Sequence, residues 1–349
     1  MLHALPMVWQ RCAQGRQVMT KAIMDALVLS GANTPFTLTR VARPEPAAGE
    51  VLVRVKASGV NPLDLKIRAG NAAHAKHPFP AILGMDLAGT VEALGPGVTE
   101  FSVGDDVYGL TGGVGGLQGS LAQFAAVDAR LLAPKPANLS MREAASLPLT
   151  FITAWEGLVD RARVQARQTV LIQGAGGVGR MAIQIANAFG AHVFAADGGK
   201  KQGAIERLGA TAIDYQQTTA QEYIHDHTRG LGFDIVYDTV GGATLDASFN
   251  VVRRFGHVVS CLGWGTHSLA PLSFRAATYS GVFTLLPMLT GEGRAHHGSI
   301  LREATRLVEA GKIATWVDPR RFGLVSVEDA HSELMKRTAS GKIVIDVDD

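Results

Sequence analysis

The chain has 349 residues, 33 Lys+Arg against 31 Asp+Glu for a net charge of +2, two cysteines and 40 glycines. That length holds about two domains, and the balanced charge excludes the electrostatic footprint of a nucleic-acid binder. Cys12 and Cys261 cannot build a disulfide scaffold or a four-cysteine zinc site, no apolar run reaches the roughly 18 residues of a membrane span, and glycine is well above its usual share of roughly 7%; a glycine-punctuated, cytoplasmic α/β protein with no membrane partner is expected.

The first 23 residues carry Arg11, Arg16 and Lys21 with no acid before Asp25. They lack an apolar signal core and are not Ser-rich, so they read as an extension ahead of a working chain that begins near Met24. From residue 24 to about 145 come short β runs broken by Gly and Pro: Ala26–Leu29, Phe36–Val41, Val51–Ala57, Gly89–Leu94, Asp106–Gly109 and Leu121–Val127. Their close spacing predicts an antiparallel, partly barrel-like domain. Ser140 and Glu143 have capping-box spacing, and a helical pattern runs on through Leu147 and Trp155 toward Val159.

Residues 146–288 alternate strand and helix. TVLIQG is followed by a helix over Arg180–Phe189, then HVFAAD, a helix over Gln202–Leu208, TAIDY, DIVYDTV, a helix near Leu245–Val252 and HVVSCLG. Such alternation predicts a doubly wound parallel sheet. The remaining residues, 289–349, return to mixed character, with a helix over Ile300–Glu309, IATWV, a helix over Val327–Thr338 and KIVIDV. A β-rich domain interrupted by a nucleotide-type α/β domain accounts for the order.

Gly174-Ala175-Gly176-Gly177-Val178-Gly179 fits G-x-G-x-x-G, follows an apolar strand and opens an amphipathic helix. Gly174 allows the tight turn, Gly176 lets backbone approach a pyrophosphate, and Gly179 lets helix and strand pack; the helix N-terminus then stabilises phosphate charge. Asp197 stands where an acid binds the ribose hydroxyls of NAD, whereas Lys200 and Lys201 follow as candidate ligands of a 2′-phosphate. The local chemistry leaves NAD(H) and NADP(H) both open. His225, His227, His296 and His297 sit in polar stretches and read as solvated, and Cys261 reads as a small buried apolar residue.

These motifs occur together with GVNPLDLKIRAG (Gly59–Gly70), FPAILGMDLAGTVEALGPGV (Phe79–Val98), VGDDVYG (Val103–Gly109), FDIVYDTVGG and a closing GKIVIDV. In that order they resemble the medium-chain dehydrogenase/reductase superfamily, in its zinc-free quinone oxidoreductase (zeta-crystallin-like) branch. The resemblance implies a GroES-like β domain formed by both ends of the chain around a Rossmann domain, and a homodimer paired through Val282–Leu286. The positions matching the superfamily's catalytic zinc ligands are Asn61, Met85 and about Leu149. A carboxamide, a thioether and an alkyl chain are no zinc ligand set, so no zinc is expected.

Without a Lewis acid, the chemistry implied is hydride transfer to a polarised small-molecule acceptor, a quinone or an α,β-unsaturated carbonyl. The resemblance makes Asn61 an amide donor to the substrate carbonyl and Asp64 an orienting group for neighbouring backbone. Lys66 is similar to the lysine of enone-reducing members and moves the acceptor toward enones. The resemblance also places Thr153, Val240, Leu262 and Gly263 beside the nicotinamide, with Lys200 and Tyr215 around a 2′-phosphate, which favours NADP(H) over NAD(H). The alternatives are a zinc alcohol dehydrogenase and a non-enzymatic, crystallin-like cofactor binder.

Overall fold

A computed structural model describes residues 22–347; the expected N-terminal extension lies, apart from its last two residues, outside the described residues. The first strand, β1 (Ile23–Leu29), pairs with β2 (Phe36–Ala42). β3 (Glu50–Gly59) is the hub of the β-rich half, since Val51, Val53, Val55 and Ala57 are all fully buried. It pairs antiparallel with β4 (Asp86–Leu94), with β6 (Phe124–Asp128) and with β15 (Val344–Asp346), the last bringing Val344 opposite Gly59. With β5 (Asp106–Leu110), β7 (Leu132–Pro134) and β14 (Phe322–Gly323), the sheet order is β14-β15-β3-β4-β5-β7, β6 pairing with β3 off this path. Strands from the early part of the chain and from its C-terminal part therefore build one sheet, while β1 and β2 form a two-stranded sheet of their own.

Between β3 and β4 lies helix α1 (Pro62–Arg68), for which the sequence analysis names no element. Proline at its first position is preorganised for a helix start, and the Asp64 carboxylate accepts the Asn61 N–H at 2.7 Å. The predicted helix after Ser140 splits into α2 (Met141–Ala145) and α3 (Pro148–Trp155), Pro148 opening the second, and a π-helical turn continues over Glu156–Arg161.

The second sheet is parallel throughout. It comprises β8 (Thr169–Gln173), β9 (His192–Asp197), β10 (Thr211–Asp214), β11 (Phe233–Asp238), β12 (Val252–Ser260) and β13 (Thr278–Gly281), in the order β10-β9-β8-β11-β12-β13. Helices α4 (Gly177–Ala188), α5 (Gln202–Arg207), α6 (Ala220–Thr228) and α7 (Ala243–Val251) connect them. Strand order reverses between β8 and β11, so their carboxyl ends frame the crevice where such sheets bind nucleotides. One apolar cluster runs from Val53 and Leu87 in the first sheet through Phe151 on α3 to Ile172 and Tyr237 in the second.

Three expectations are corrected here. Val282–Leu286 is not a strand: Val282, Thr284 and Leu285 are buried in a turn, and the sheet edge is the short, largely exposed β13 just before it. IATWV makes only one isolated bridge, Val317 to Lys342. His297 is not solvated: the helix Arg294–Glu309 starts six residues before its expected onset and buries His297 completely, with Nε2 3.3 Å from Glu156 Oε1. Gly298 let that helix pass unseen, and it is needed there because a Cβ would strike the Arg130 carbonyl.

Candidate active site between the two sheets

The glycine turn leaves β8 through Gly174, at φ +89°. A Cβ on Gly174 would meet Val240 Cγ2 at 2.7 Å, and one on Gly179 would collide with the Gly174 carbonyl oxygen. Nothing lies within 4 Å above Gly176, so backbone is bared where a phosphate has to approach. α4 starts on Gly176 with no side-chain cap, which leaves its first-turn N–H groups for an anion; Gly177 and Val178 belong to that turn. These features fit a dinucleotide pyrophosphate.

Asp197, at the end of β9, folds back onto the turn. Its carboxylate accepts the Ala175 N–H at 2.7 Å, the Gly198 N–H at 2.7 Å and the Lys201 ammonium at 2.9 Å. Burial opposes its ionisation, but these donors outweigh burial and hold it below the usual carboxylate range. Lys201 thus offsets the acid, while Lys200 is exposed with no ion pair among the described residues. Tyr215 is exposed just beyond β10, whose Asp214 lies opposite Asp197. The two expected 2′-phosphate ligands therefore stand at the ends of adjacent strands.

Across the crevice, buried Asp238 ties the loops after β11 and β12 together. It accepts the Val240 and Gly241 N–H groups at 3.1 and 3.0 Å and the Ser260 hydroxyl at 2.7 Å; Ser260 Oγ accepts the Leu262 N–H at 3.0 Å. Val240 is exposed beside Gly174, and Gly263 is held against the Tyr279 hydroxyl. Thr153 is mostly buried: its hydroxyl donates to the Leu149 carbonyl at 2.7 Å and accepts from Thr284 Oγ1 at 3.1 Å. The Cys261 thiol is pushed up to about 12 by burial, with the Asp238 charge adding to it, so it is not a ready nucleophile.

On the β-domain side, the residues matching metal-ligand positions do converge. Asp86 Oδ2 accepts Asn61 Nδ2 at 2.8 Å and Lys342 Nζ at 3.0 Å, Asp86 Oδ1 accepts the Leu149 N–H at 2.8 Å, and Met85 is fully buried next to it. Lys342 also donates to Asn61 Oδ1. A second, longer bond from Asn61 Nδ2 reaches the Gly59 carbonyl at 3.4 Å. The Asn61 amide is thus committed on both sides within the protein. This donor set, with a cation already inside it, does not fit a zinc ion. Among the described residues no group of three or more His, Cys, Asp or Glu is arranged to hold a metal.

Asp64 is buried behind this cluster, and its Oδ1 has no hydrogen-bond partner. Burial, with the Asp86 charge adding and the Asn61 N–H and Lys342 opposing, pushes its carboxyl up to about 7. A carboxyl raised on folding stabilises the fold most below its unfolded value of 3.8 and loses that contribution as pH rises toward 7. Asp64→Asn should therefore flatten the decline of thermal stability over that window, a change on the order of 4 kcal/mol; calorimetry at several pH values checks it, and an unaltered slope would refute the assignment.

Lys66 is exposed on α1 and makes no ion pair among the described residues. Beside Ile67 a hollow of about 530 Å³ opens, lined also by Ala72, His77, Phe79, Gly115 and Gly116. Its neighbouring loop sends His74 against Trp264, ring centres 5.4 Å apart, and Trp264 against Phe283 at 5.8 Å. These contacts link the β domain to the segment just after Leu262 and Gly263. Asp86, Lys342, His74 and Trp264 were not singled out from sequence. Only Asp86 and Lys342 carry a local sign, each a charge that opens an apolar run.

Comparison with known proteins gives the chain its relatives. The family described as an alcohol dehydrogenase GroES-like domain matches residues 47–137, and the family described as a zinc-binding dehydrogenase matches residues 208–345. The chain is 35% identical to the 2-methylene-furan-3-one reductase of Solanum lycopersicum, over 88% of this chain and 74% of that protein. It is 34% identical to the chloroplastic NADPH-dependent alkenal/one oxidoreductase of Arabidopsis thaliana, over 86% and 73% of the two chains. The crystal structure of an alcohol dehydrogenase superfamily protein from Novosphingobium aromaticivorans superposes with a TM-score of 0.91 at 62% identity, covering 93% of this chain and 100% of that one.

Proposed function

This chain belongs to the medium-chain dehydrogenase/reductase superfamily, and on that premise we propose that it is a zinc-independent, NADP(H)-preferring oxidoreductase that reduces α,β-unsaturated carbonyls or quinones. The observation that carries this reading is an intact dinucleotide turn facing a cluster in which Asn61, Met85 and Leu149 stand at the metal-ligand positions and a lysine has entered. The names of two relatives, a furanone reductase and an alkenal/one oxidoreductase, support the enone class.

When bound, the dinucleotide supplies the hydride. On an enone the hydride adds to the β carbon, the double-bond electrons move onto the carbonyl oxygen, and the α carbon then takes a proton from water. The protein's task is to orient the acceptor and to meet the charge growing on that oxygen. Gly174, Gly176, Gly177, Val178 and Gly179 seat the pyrophosphate in this reading; Val240, Leu262, Gly263 and Thr153 wall the reacting ring. Lys200 and Tyr215 take a 2′-phosphate, with Lys201 offsetting Asp197.

Asn61 and Asp64 shape the floor and α1. Lys66 is a solvated rim cation that draws in the acceptor, and the hollow beside Ile67 takes its apolar part. Exposed charge is worth at most about 1 kcal/mol, so Lys66→Met should raise KM for an enone roughly fivefold and leave kcat within about twofold. Steady-state kinetics decides this, and a collapse of kcat would make Lys66 part of the chemistry instead.

A cytoplasmic homodimer joined along the exposed β13 edge completes the reading, to be checked by light scattering and cell fractionation. The decisive experiment is turnover of purified protein with a panel of enones and quinones, using NADPH and NADH, alongside metal analysis. Cofactor binding with no turnover would favour the non-enzymatic alternative, and stoichiometric zinc would end the zinc-independent reading.

A further inference from the structure

The cluster that replaces the metal site contains a fixed cation. Lys342 Nζ donates to Asn61 Oδ1 and to Asp86 Oδ2 at 3.0 Å. An ammonium has three N–H donors and no acceptor, so two are used and the third meets no acceptor among the described residues. Within this trio Lys342 alone keeps access to solvent: its side chain is 14% exposed, against 0% for Asp86 and 1% for Asn61.

The backbone fixes where that ammonium stands. The Lys342 N–H donates to the Trp316 carbonyl at 2.7 Å, and the Asp318 N–H donates to the Lys342 carbonyl at 2.9 Å. The same segment lies on α4. Ala314 N–H donates to Gln184 Oε1 at 2.8 Å, Gln184 Nε2 donates to the Ala314 carbonyl at 3.2 Å, and the Arg180 guanidinium lies 4.9 Å from the centre of the Trp316 ring. Since α4 begins at the glycine turn, Lys342 sits at the seam between the β domain and the dinucleotide domain.

Resting on the reductase reading above, we propose that the Lys342 ammonium is the standing positive charge of this site, occupying the place of a metal ion and holding the negative charge that builds on the substrate oxygen during hydride transfer. Its free N–H bonds that oxygen. The lysine gives up no proton, because the α carbon is protonated from water. The other polar groups are less suited. Both sides of the Asn61 amide are committed, and the exposed Lys66 charge is screened by solvent, whereas the mostly buried Lys342 charge acts at a lower dielectric. The arrangement also explains the acceptor class: a single positive charge can stabilise a forming enolate, but it lacks the Lewis acidity that draws a proton from an alcohol.

The test compares wild type, Lys342→Arg, Lys342→Gln and the double variant Lys342→Met/Asp86→Asn, which removes both charges so that no buried carboxylate is left unpaired. With a cyclic enone and saturating NADPH, kcat of the Gln and double variants should fall about 100- to 1,000-fold, the range for loss of an oxyanion donor, with KM within threefold. Lys342→Arg should recover at least a tenth of wild-type kcat. A readout without turnover is p-nitrophenol bound to the NADP⁺-saturated protein. Wild type should raise the phenolate fraction about tenfold at a fixed pH below the free phenol's pKa, and the double variant should not. Variants that keep kcat within threefold, or a phenolate fraction equal in wild type and double variant, would overturn the proposal. If wild type turns over no enone or quinone, the reductase reading fails, while the phenolate readout still judges Lys342.

Discussion

Gly179→Ala should cost the protein at least about a hundredfold in NADPH affinity. The added methyl group would collide with the Gly174 carbonyl oxygen, a backbone atom in the turn itself. Backbone cannot rotate away as a side chain can, so α4 would have to move off β8. Overpacking of this kind costs roughly 1–3 kcal/mol in stability, and it displaces the N–H groups that would hold the pyrophosphate. Gly176→Ala is the informative companion, because no protein atom lies within 4 Å of the new methyl. It should leave thermal stability within about 0.5 kcal/mol and still weaken NADPH by filling the space of the ligand. Fluorescence titration and thermal unfolding of both variants check this. Wild-type affinity in Gly179→Ala would mean that the dinucleotide binds elsewhere.

The second large effect is expected at Asp86. Its carboxylate is fully buried and answers the Leu149 N–H, the Asn61 amide and the Lys342 ammonium together. Asp86→Ala strands a mostly buried cation and two buried donors. Removing one partner of a buried ion pair costs about 3–5 kcal/mol. Asp86→Asn keeps an acceptor for one or two of the three and should lose less than half of that. Urea unfolding monitored on the β domain separates the cases; an alanine variant within about 1 kcal/mol of wild type would show that water enters and satisfies the cluster.

Much of the dinucleotide domain is legible in sequence because its buried parallel strands read as continuous apolar runs, TVLIQ and DIVYD, with the glycine turn directly after the first. What escaped did so for local reasons. α1 hides behind Asn61-Pro62, which reads equally as a turn. α6 has a capping box, Thr219 with Glu222, but its polar face leaves little periodicity. β13 is TYSG, an exposed edge with no apolar signature, whereas the apolar run just after it forms a buried turn.

The site divides in the same way. The phosphate-binding half lies within a stretch of six residues and is visible as a motif. The half proposed to bind the substrate oxygen joins Asn61 to Lys342 across 281 positions, a contact that no local pattern records. Asn61 reads from sequence as an amide donor, and the sharing of that amide with Asp86 and Lys342 is visible only in the structure.

That separation also sets a timetable for the molecule's own making. Asp86 and Lys342 are 256 residues apart, and a ribosome adds roughly 5–20 residues per second. For something like 13–51 s of synthesis, the nascent chain holds a carboxylate destined for complete burial whose counter-ion has not yet been polymerised. The β-rich half can then collapse only around a solvated or protonated Asp86. Its core closes when the last strand slides in beside β3, bringing the lysine with it.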